Sequence, residues 1–253
     1  MHVWALADLH LSFGVPDKQM DVFGEKWRDH PEKIKTAWES RVSPDDLVLI
    51  AGDISWGKHL EEAIPDLEWI QALPGTKVLL RGNHDYWWTS INKVRNILPP
   101  SLHVIQNDSY YWNDIAIGGA RLWDDRDLHF DGIIDFVKTD CVKQLTENDL
   151  DIEQAEKIYL RELQRLESSL RQLNPKAHKK IVMTHYPPVG PRLEPSRASA
   201  LLEKYKIDTC VFGHIHNIRN IRAGETPFFG SVNGIEYLIT AADYLNFTPV
   251  KIL

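Results

Sequence analysis

The sequence predicts an α/β fold in which two β-sheets pack together with helices outside. Three observations carry that expectation. Short apolar runs rich in β-branched residues each end in a polar cluster, as buried strands do. Amphipathic helical patterns lie between several of them. After residue 100 the style changes to short strands with tight turns, and it returns near the C-terminus. The composition agrees. Of 253 residues, 43% are hydrophobic and 26% charged, which excludes a disordered or collagen-like chain. No linker or repeat divides the sequence, so one domain over 1–253 is expected.

Taken in order, residues 2–7 form the first run and end at Asp8-Leu9-His10. Pro31 marks the first turn of a helix over 31–41, with Ile34, Ala37 and Trp38 on its apolar side. Residues 47–51 are the second strand and end at Gly52-Asp53. A helix is expected over 58–72, with Pro65 placed to break or kink it. Residues 77–80 lead into Arg81-Gly82-Asn83-His84-Asp85, and a third helix follows over 89–98. Segments 102–106, 109–112 and 114–118 read as strands with turns at Asn107-Asp108 and Asn113-Asp114.

Residues 121–149 hold many acids (among them Asp124, Asp125, Asp127, Asp131, Asp135 and Asp140) and no clear period. The stretch is either a lid or binding insertion, or a solvated excursion with a short helix near 131–138. The longest helix is expected over 150–173. Ile152, Ala155, Tyr159, Leu163, Leu166, Leu170 and Leu173 recur at 3–4 spacing, which suits a helix covering a sheet, with a dimer seam as the alternative. Residues 181–184 end at His185, and 207–212 end at Gly213-His214-Ile215-His216. Segments 226–232, 235–239 and 249–252 complete the strands.

Charge and cysteine usage exclude further classes. A net charge of −7 disfavours a protein that coats nucleic acid or anionic membrane. Two cysteines, Cys141 and Cys210, support neither a disulfide framework nor a Cys-rich zinc site. The N-terminus lacks the apolar region of a signal peptide, and no apolar run approaches the ~18 residues of a membrane span. A cytoplasmic location is expected.

The chemistry lies at the strand ends. Five of eleven histidines fall there: His10, His84, His185, His214 and His216. Asp8, Asp53 and Asn83 occupy equivalent places. Ligands of open α/β sheets bind outside the carboxyl ends of strands, so side chains 200 residues apart can converge. A lone His after a strand is more often structural. Gly-Asn-His-Asp, however, is expected by chance only about once in 10⁵ positions, and Gly-His-x-His compounds the odds. Carboxylate, imidazole and amide donors without thiolate suit Mn²⁺, Fe or Zn²⁺. There are donors enough for two ions, with Asp53 as the natural bridge. Two ions about 3.5–4 Å apart clamp a phosphoryl group and activate water, which is phosphoester hydrolysis.

The ordered set Asp8-x-His10, Gly52-Asp53, Gly82-Asn83-His84-Asp85, His185, Gly213-His214-x-His216 resembles the calcineurin-like metallophosphoesterases. The resemblance implies a four-layer αββα sandwich of two mixed β-sheets and a dinuclear site. Asp8, His10, Asp53 and His216 would hold one ion. Asp53, Asn83, His185 and His214 would hold the other, with Mn²⁺ the first choice and Fe or Zn²⁺ the alternatives. His84 would touch the phosphate and protonate the leaving oxygen as general acid, and Asp85 would orient its ring. The residues alone leave His84 open as a third ligand or structural donor, and Asp85 as a turn residue.

Protein Ser/Thr phosphatases of this superfamily follow Gly-Asp with a second Asp and a phosphate-binding Arg. Here Asp53 precedes Ile54-Ser55-Trp56-Gly57-Lys58, which counts against phosphoprotein hydrolysis by that route. The 37 residues after His216 suit compact prokaryotic phosphoesterases. The expected partner is a small phosphomonoester or phosphodiester, without strong nucleic-acid binding, and the alternatives are a nuclease or a non-catalytic scaffold. Tyr86, Trp87 and Trp88 either shape the pocket or pack in the core. Arg81, Lys58, Arg121 and Arg192 are candidate phosphate contacts. Tyr186-Pro187-Pro188 would stiffen the His185 loop, and Asn217 is either a support for His216 or a turn residue.

Overall fold

Side-chain alternation along the strands explains the layering. In the computed structural model, which describes residues 1–135, 151–221 and 225–253, strand β1 (Val3–Ala5) turns Val3 and Ala5 to one face and Trp4 to the other. Strand β2 (Leu47–Ile50) does the same with Leu47 and Leu49 against Val48 and Ile50. Both faces are apolar because both are covered, so these strands read as unbroken apolar runs.

The first sheet adds β3 (Thr76–Leu79), β4 (Leu102–Val104) and a late strand, Val250–Lys251. Its four early strands are parallel, and Val250–Lys251 joins β1 antiparallel. Helices α1 (His30–Glu39), α2 (Leu60–Ala72) and α3 (Ile91–Ile97) bury Trp38, Leu67 and Val94 in the core over its outer face. The second sheet holds β5 (Ser109–Trp112), β6 (Ile115–Ala120), β7 (Lys179–Thr184), β8 (Thr209–Phe212), β9 (Gly230–Val232) and β10 (Ile235–Ile239). Its spatial order is β5-β6-β7-β8-β10-β9, with β6, β7, β8 and β10 parallel and the two edges antiparallel. We number Val250–Lys251 β11. Helices α4 (Ile152–Leu170) and α5 (Arg197–Lys204) cover its outer face. A third core, including Val3, Leu49, Val78, Ile117, Ile181 and Val211, lies between the sheets. The fold is thus α/β, with two mixed sheets sandwiched between helices.

Several expected elements shift. Helix α2 runs unbroken through Pro65. A proline there forfeits one backbone hydrogen bond, but Ala63, Asp66, Leu67 and Ile70 are buried and hold the helix on the sheet. Segment 226–232 is strand only over Gly230–Val232, and 249–252 only over Val250–Lys251. Helix α4 docks on β6 as a cover helix. Ser169 Oγ accepts from Gly119 N (2.8 Å), and Ile152 is left exposed. A short 3-10 turn, Asp131–Ile133, lies in the acidic stretch, while the remainder of the expected insertion and short helix, with Asp140 and Cys141, falls outside the described residues. No described helix is long and apolar enough to cross a membrane.

Helix α5 is only eight residues long, so its apolar side of Ala198, Leu201 and Leu202 spans about one turn and does not stand out in the sequence. Its signal was the cap. Ser196 Oγ accepts from Ala198 N and Ser199 N (3.0 Å each), and Ser199 Oγ accepts from Ser196 N (2.9 Å). Ser196→Ala is expected to lower stability by about 1 kcal/mol, read as a shifted urea midpoint at constant slope.

Candidate metal centre

The candidate donors sit where both sheets end. Asp8 and His10 follow β1, Asp53 follows β2, and Asn83 and His84 follow β3. His185 follows β7, and His214 and His216 follow β8. The post-strand loops are tied to one another. Asp8 N donates to Gly52 O (2.9 Å), His10 N to Asp53 O (3.0 Å) and Gly213 N to His185 O (3.1 Å). Ala7 N donates across to Thr240 O (2.7 Å), which joins the sheets beside the site.

Local backbone geometry aims the side chains. Asp8, His10, Asp53 and His214 all take positive φ, at 58°, 46°, 51° and 73°. Such conformations are costly for non-glycine residues and cluster at functional sites. Two glycines make room. A Cβ on Gly82 would fall 2.0 Å from Asp53 Oδ1, and one on Gly213 would fall 2.2 Å from Asp8 Oδ2. The glycines of Gly-Asn-His-Asp and Gly-His-x-His are therefore steric consequences of carboxylates pressed against backbone.

All seven expected donors come together. His10 Nε2 lies 3.3 Å from His216 Nε2 and 3.7 Å from Asp53 Oδ2. His216 Nε2 lies 3.8 Å from Asp8 Oδ1. On the other side, His185 Nε2 lies 2.5 Å from Asn83 Oδ1 and 3.4 Å from Asp53 Oδ1. His214 Nδ1 is 3.1 Å from the same Asn83 oxygen. Asp8, His10 and His216 form one close group, and Asp8, Asp53 and His185 another. Asp53 turns one oxygen to each side, and its Oδ1 also accepts His84 N (2.8 Å).

Burial and mutual charge set the protonation pattern. Burial pushes the Asp8 carboxyl up to about 7, although His216 and His185 pull it down. Burial also opposes ionisation of Asp53, but the His185 and His10 imidazoles outweigh it and hold Asp53 well below its ordinary value. His185 and His216 are driven down by burial, yet carboxylate partners raise both to about 9. His10 and His214 are pushed well below theirs, chiefly by burial. Two facing imidazole nitrogens ringed by buried carboxylate oxygens are what a shared divalent cation satisfies. The oxygen and nitrogen donors fit a borderline or hard ion.

Two other site residues behave differently. His84 packs its ring against Trp56 (4.8 Å between centroids) and edge-on to exposed Tyr86 (6.2 Å). Its buried Nδ1 meets no hydrogen-bond partner among the described residues. Asp85, expected to orient that ring, does not. Its oxygens accept Gly82 N (2.7 Å), Ile54 N (2.9 Å), Ser55 N (3.2 Å) and Trp87 Nε1 (2.9 Å). The fully buried carboxylate is fixed by the β2 and β3 loops, the turn role that the residue type also allows. Trp87 and Trp88 are core residues. Arg192 is engaged with Glu225 and Phe228, and Lys58 is exposed. Asn217 takes positive φ (55°) and donates its backbone N–H to Asp243.

Sequence reasoning missed Asp243. Its Oδ1 lies 2.9 Å from His216 Nδ1, and its Oδ2 accepts Asn217 N (2.9 Å) and Lys26 Nζ (2.7 Å). Burial opposes its ionisation, but His216 and Lys26 keep it ionised. The only signal was an isolated acid in an apolar stretch, Ala241-Ala242-Asp243-Tyr244. A carboxylate behind a ligand imidazole fixes its tautomer and ring angle. Asp243→Ala is expected to weaken metal binding about 10–100-fold, with Asp243→Glu recovering part of it in competition titrations against a chelator. Asp124 also approaches, with Oδ1 4.0 Å from His214 Nε2.

Comparison with known proteins agrees with this geometry. The Gene 66 proteins of Mycobacterium phages L5 and D29 are 36% and 34% identical over 86 and 84 residues, a third of this chain. The aligned part of this chain spans about 40% of the length of those relatives. Phosphopantetheinyl hydrolase from Mycobacterium tuberculosis shares the fold at a TM-score of 0.58 and 14% identity, over 100% of this chain and 95% of that one. The protein TT1561 of Thermus thermophilus does so at 0.51 and 11%, over 99% and 97%. A family model described as calcineurin-like phosphoesterase matches residues 1–217, so the chain belongs to the calcineurin-like phosphoesterase family.

Proposed function

We propose that the protein is a dinuclear-metal phosphoric ester hydrolase acting on a small phosphomonoester or phosphodiester, in the cytoplasm. The observation that carries this reading is the convergence of seven donor side chains from the ends of five strands, with Asp53 turned to both sides. Asp8, His10, Asp53 and His216 would hold one ion. Asp53, Asn83, His185 and His214 would hold the second. Mn²⁺ is the first candidate, and Fe or Zn²⁺ the alternatives. Bound divalent ions would supply charge stabilisation at the phosphoryl oxygens and an activated water.

The chain's own residues do the rest. Asp243, through His216, and Ala51 O, 2.9 Å from His185 Nδ1, hold the ligand rings in one tautomer. Trp56 packs on both His10 (5.1 Å) and His84 (4.8 Å), which fixes the His84 ring beside the centre. His84 would donate the proton that the leaving oxygen needs.

The test is metal analysis of the purified protein joined to a panel of mono- and diester substrates. Two ions per chain and Mn²⁺-dependent hydrolysis are expected, and the mono- to diester ratio sets the reaction class. Protein that takes up no metal, or that cleaves no ester when loaded, overturns the reading. Cleavage confined to DNA or RNA would favour the nuclease reading.

A further inference from the structure

A cavity lies at the carboxyl edge of the sheets, lined by none of the seven donors. It has a volume of about 210 Å³, and its walls include Arg81, Arg121, Arg165, Glu162, Gln106 and Thr89. Three guanidiniums face one carboxylate, so the lining carries a surplus of two positive charges.

The single acid is already shared. Glu162 Oε1 lies 2.7 Å from Arg165 and 3.5 Å from Arg121. Arg81 meets no such partner among the described residues, and its Nε is buried without a hydrogen-bond acceptor. Gln106 accepts the Trp88 indole N–H (2.8 Å), which assigns its amide oxygen and leaves its NH₂ as a donor. The wall is thus rich in donors and short of acceptors. A tetrahedral oxyanion supplies that deficit, because guanidinium forks match phosphate oxygens in geometry and charge.

We propose that this cavity is a phosphate-class oxyanion site adjoining the metal centre. The adjacency is covalent. Arg81 precedes Asn83 by two residues, so their Cα atoms are within about 7 Å. Arg121 O accepts the backbone N–H groups of His185 and Tyr186 (3.0 Å each). Two sources share this chemistry: a second phosphoryl group on the substrate, or free inorganic phosphate. Only the first rests on the proposed hydrolase reading.

Calorimetric titration with inorganic phosphate tests the site. Asp53→Asn removes the competing metal centre and should retain phosphate binding. Adding Arg165→Ala or Arg81→Gln to it should weaken that binding at least 10-fold. Arg165 is 40% exposed, so its variant keeps the test valid if Arg81→Gln fails to fold. Phosphate binding that vanishes in Asp53→Asn, or that survives both arginine changes, overturns the site. Steady-state kinetics then separate the sources. Arg165→Ala raises KM at least 10-fold for a substrate with two phosphoryl groups, but not for p-nitrophenyl phosphate, if the site holds substrate. It changes neither KM if the site holds free phosphate. Loss of all hydrolysis with phosphate binding intact would sink the hydrolase reading and leave the site standing.

Discussion

His84→Ala is expected to keep its bound metal and to lose at least about 10²-fold in kcat on esters with poor leaving groups. The His84 ring is not wedged among the close donors. Its backbone N–H meets the cluster at Asp53 Oδ1 (2.8 Å), a group that alanine keeps, and its ring meets His10 only edge-on (5.7 Å between centroids). Removing the ring costs His10 one edge contact and is expected to leave the candidate ligands in place. The kinetic loss should depend on the leaving group. An alkoxide needs the proton that His84 would supply, whereas p-nitrophenolate leaves without one. The deficit should therefore shrink with p-nitrophenyl esters. Equal loss on both would assign His84 to binding rather than proton transfer. Metal lost together with the ring would make it a ligand instead.

Much of this candidate site is legible in the sequence, and the reason is steric as much as chemical. Gly52-Asp53, Gly82-Asn83 and Gly213-His214 are short, rigid units, because a side chain at Gly82 or Gly213 would overlap a site carboxylate. Such units leave a mark within a few adjacent letters. The three cores were legible as unbroken apolar runs, since strands covered on both faces have no polar side. Partnership between neighbours was not legible. Asp85 adjoins His84 in sequence, yet its carboxylate turns to Gly82, Ile54, Ser55 and Trp87. Adjacent residues at a turn point in different directions, so proximity along the chain says little about contact. Asp243 illustrates the converse, being 27 residues from His216 and bonded to it. Its position depends on the chain crossing from β10 back beside β1, where Ala242 N donates to Ala7 O (3.0 Å). A single carboxylate carries no spacing signal for such a crossing. The arginine cavity was equally hidden, since Arg81, Arg121 and Arg165 come from the ends of β3 and β6 and from α4.

Asp53→Asn is expected to abolish metal loading and activity together, with metal affinity falling by more than the about 10–100-fold typical of an outer-shell partner. The substitution preserves shape and one oxygen. It removes the charge and replaces the second oxygen by an amide that donates and cannot ligate. Since Asp53 faces His185 with Oδ1 (3.4 Å) and His10 with Oδ2 (3.7 Å), one half of the centre loses its shared donor whichever way the amide turns. Metal analysis showing two ions retained would remove Asp53 from its bridging role. The metal-free protein offers an independent readout. There Asp53 is the counter-ion that raises His185 to about 9 against the opposing effect of burial. A histidine raised in the folded state contributes stability that is complete below its unfolded value of 6.5 and is lost as pH rises through 9. That contribution disappears in Asp53→Asn. In the presence of a chelator, the urea midpoints of wild type and variant should differ most near pH 6 and converge by about pH 9.5. A gap that widened with pH would mean that His185 is neutral in the folded chain. Asp53 would then act on the site through its hydrogen bonds alone.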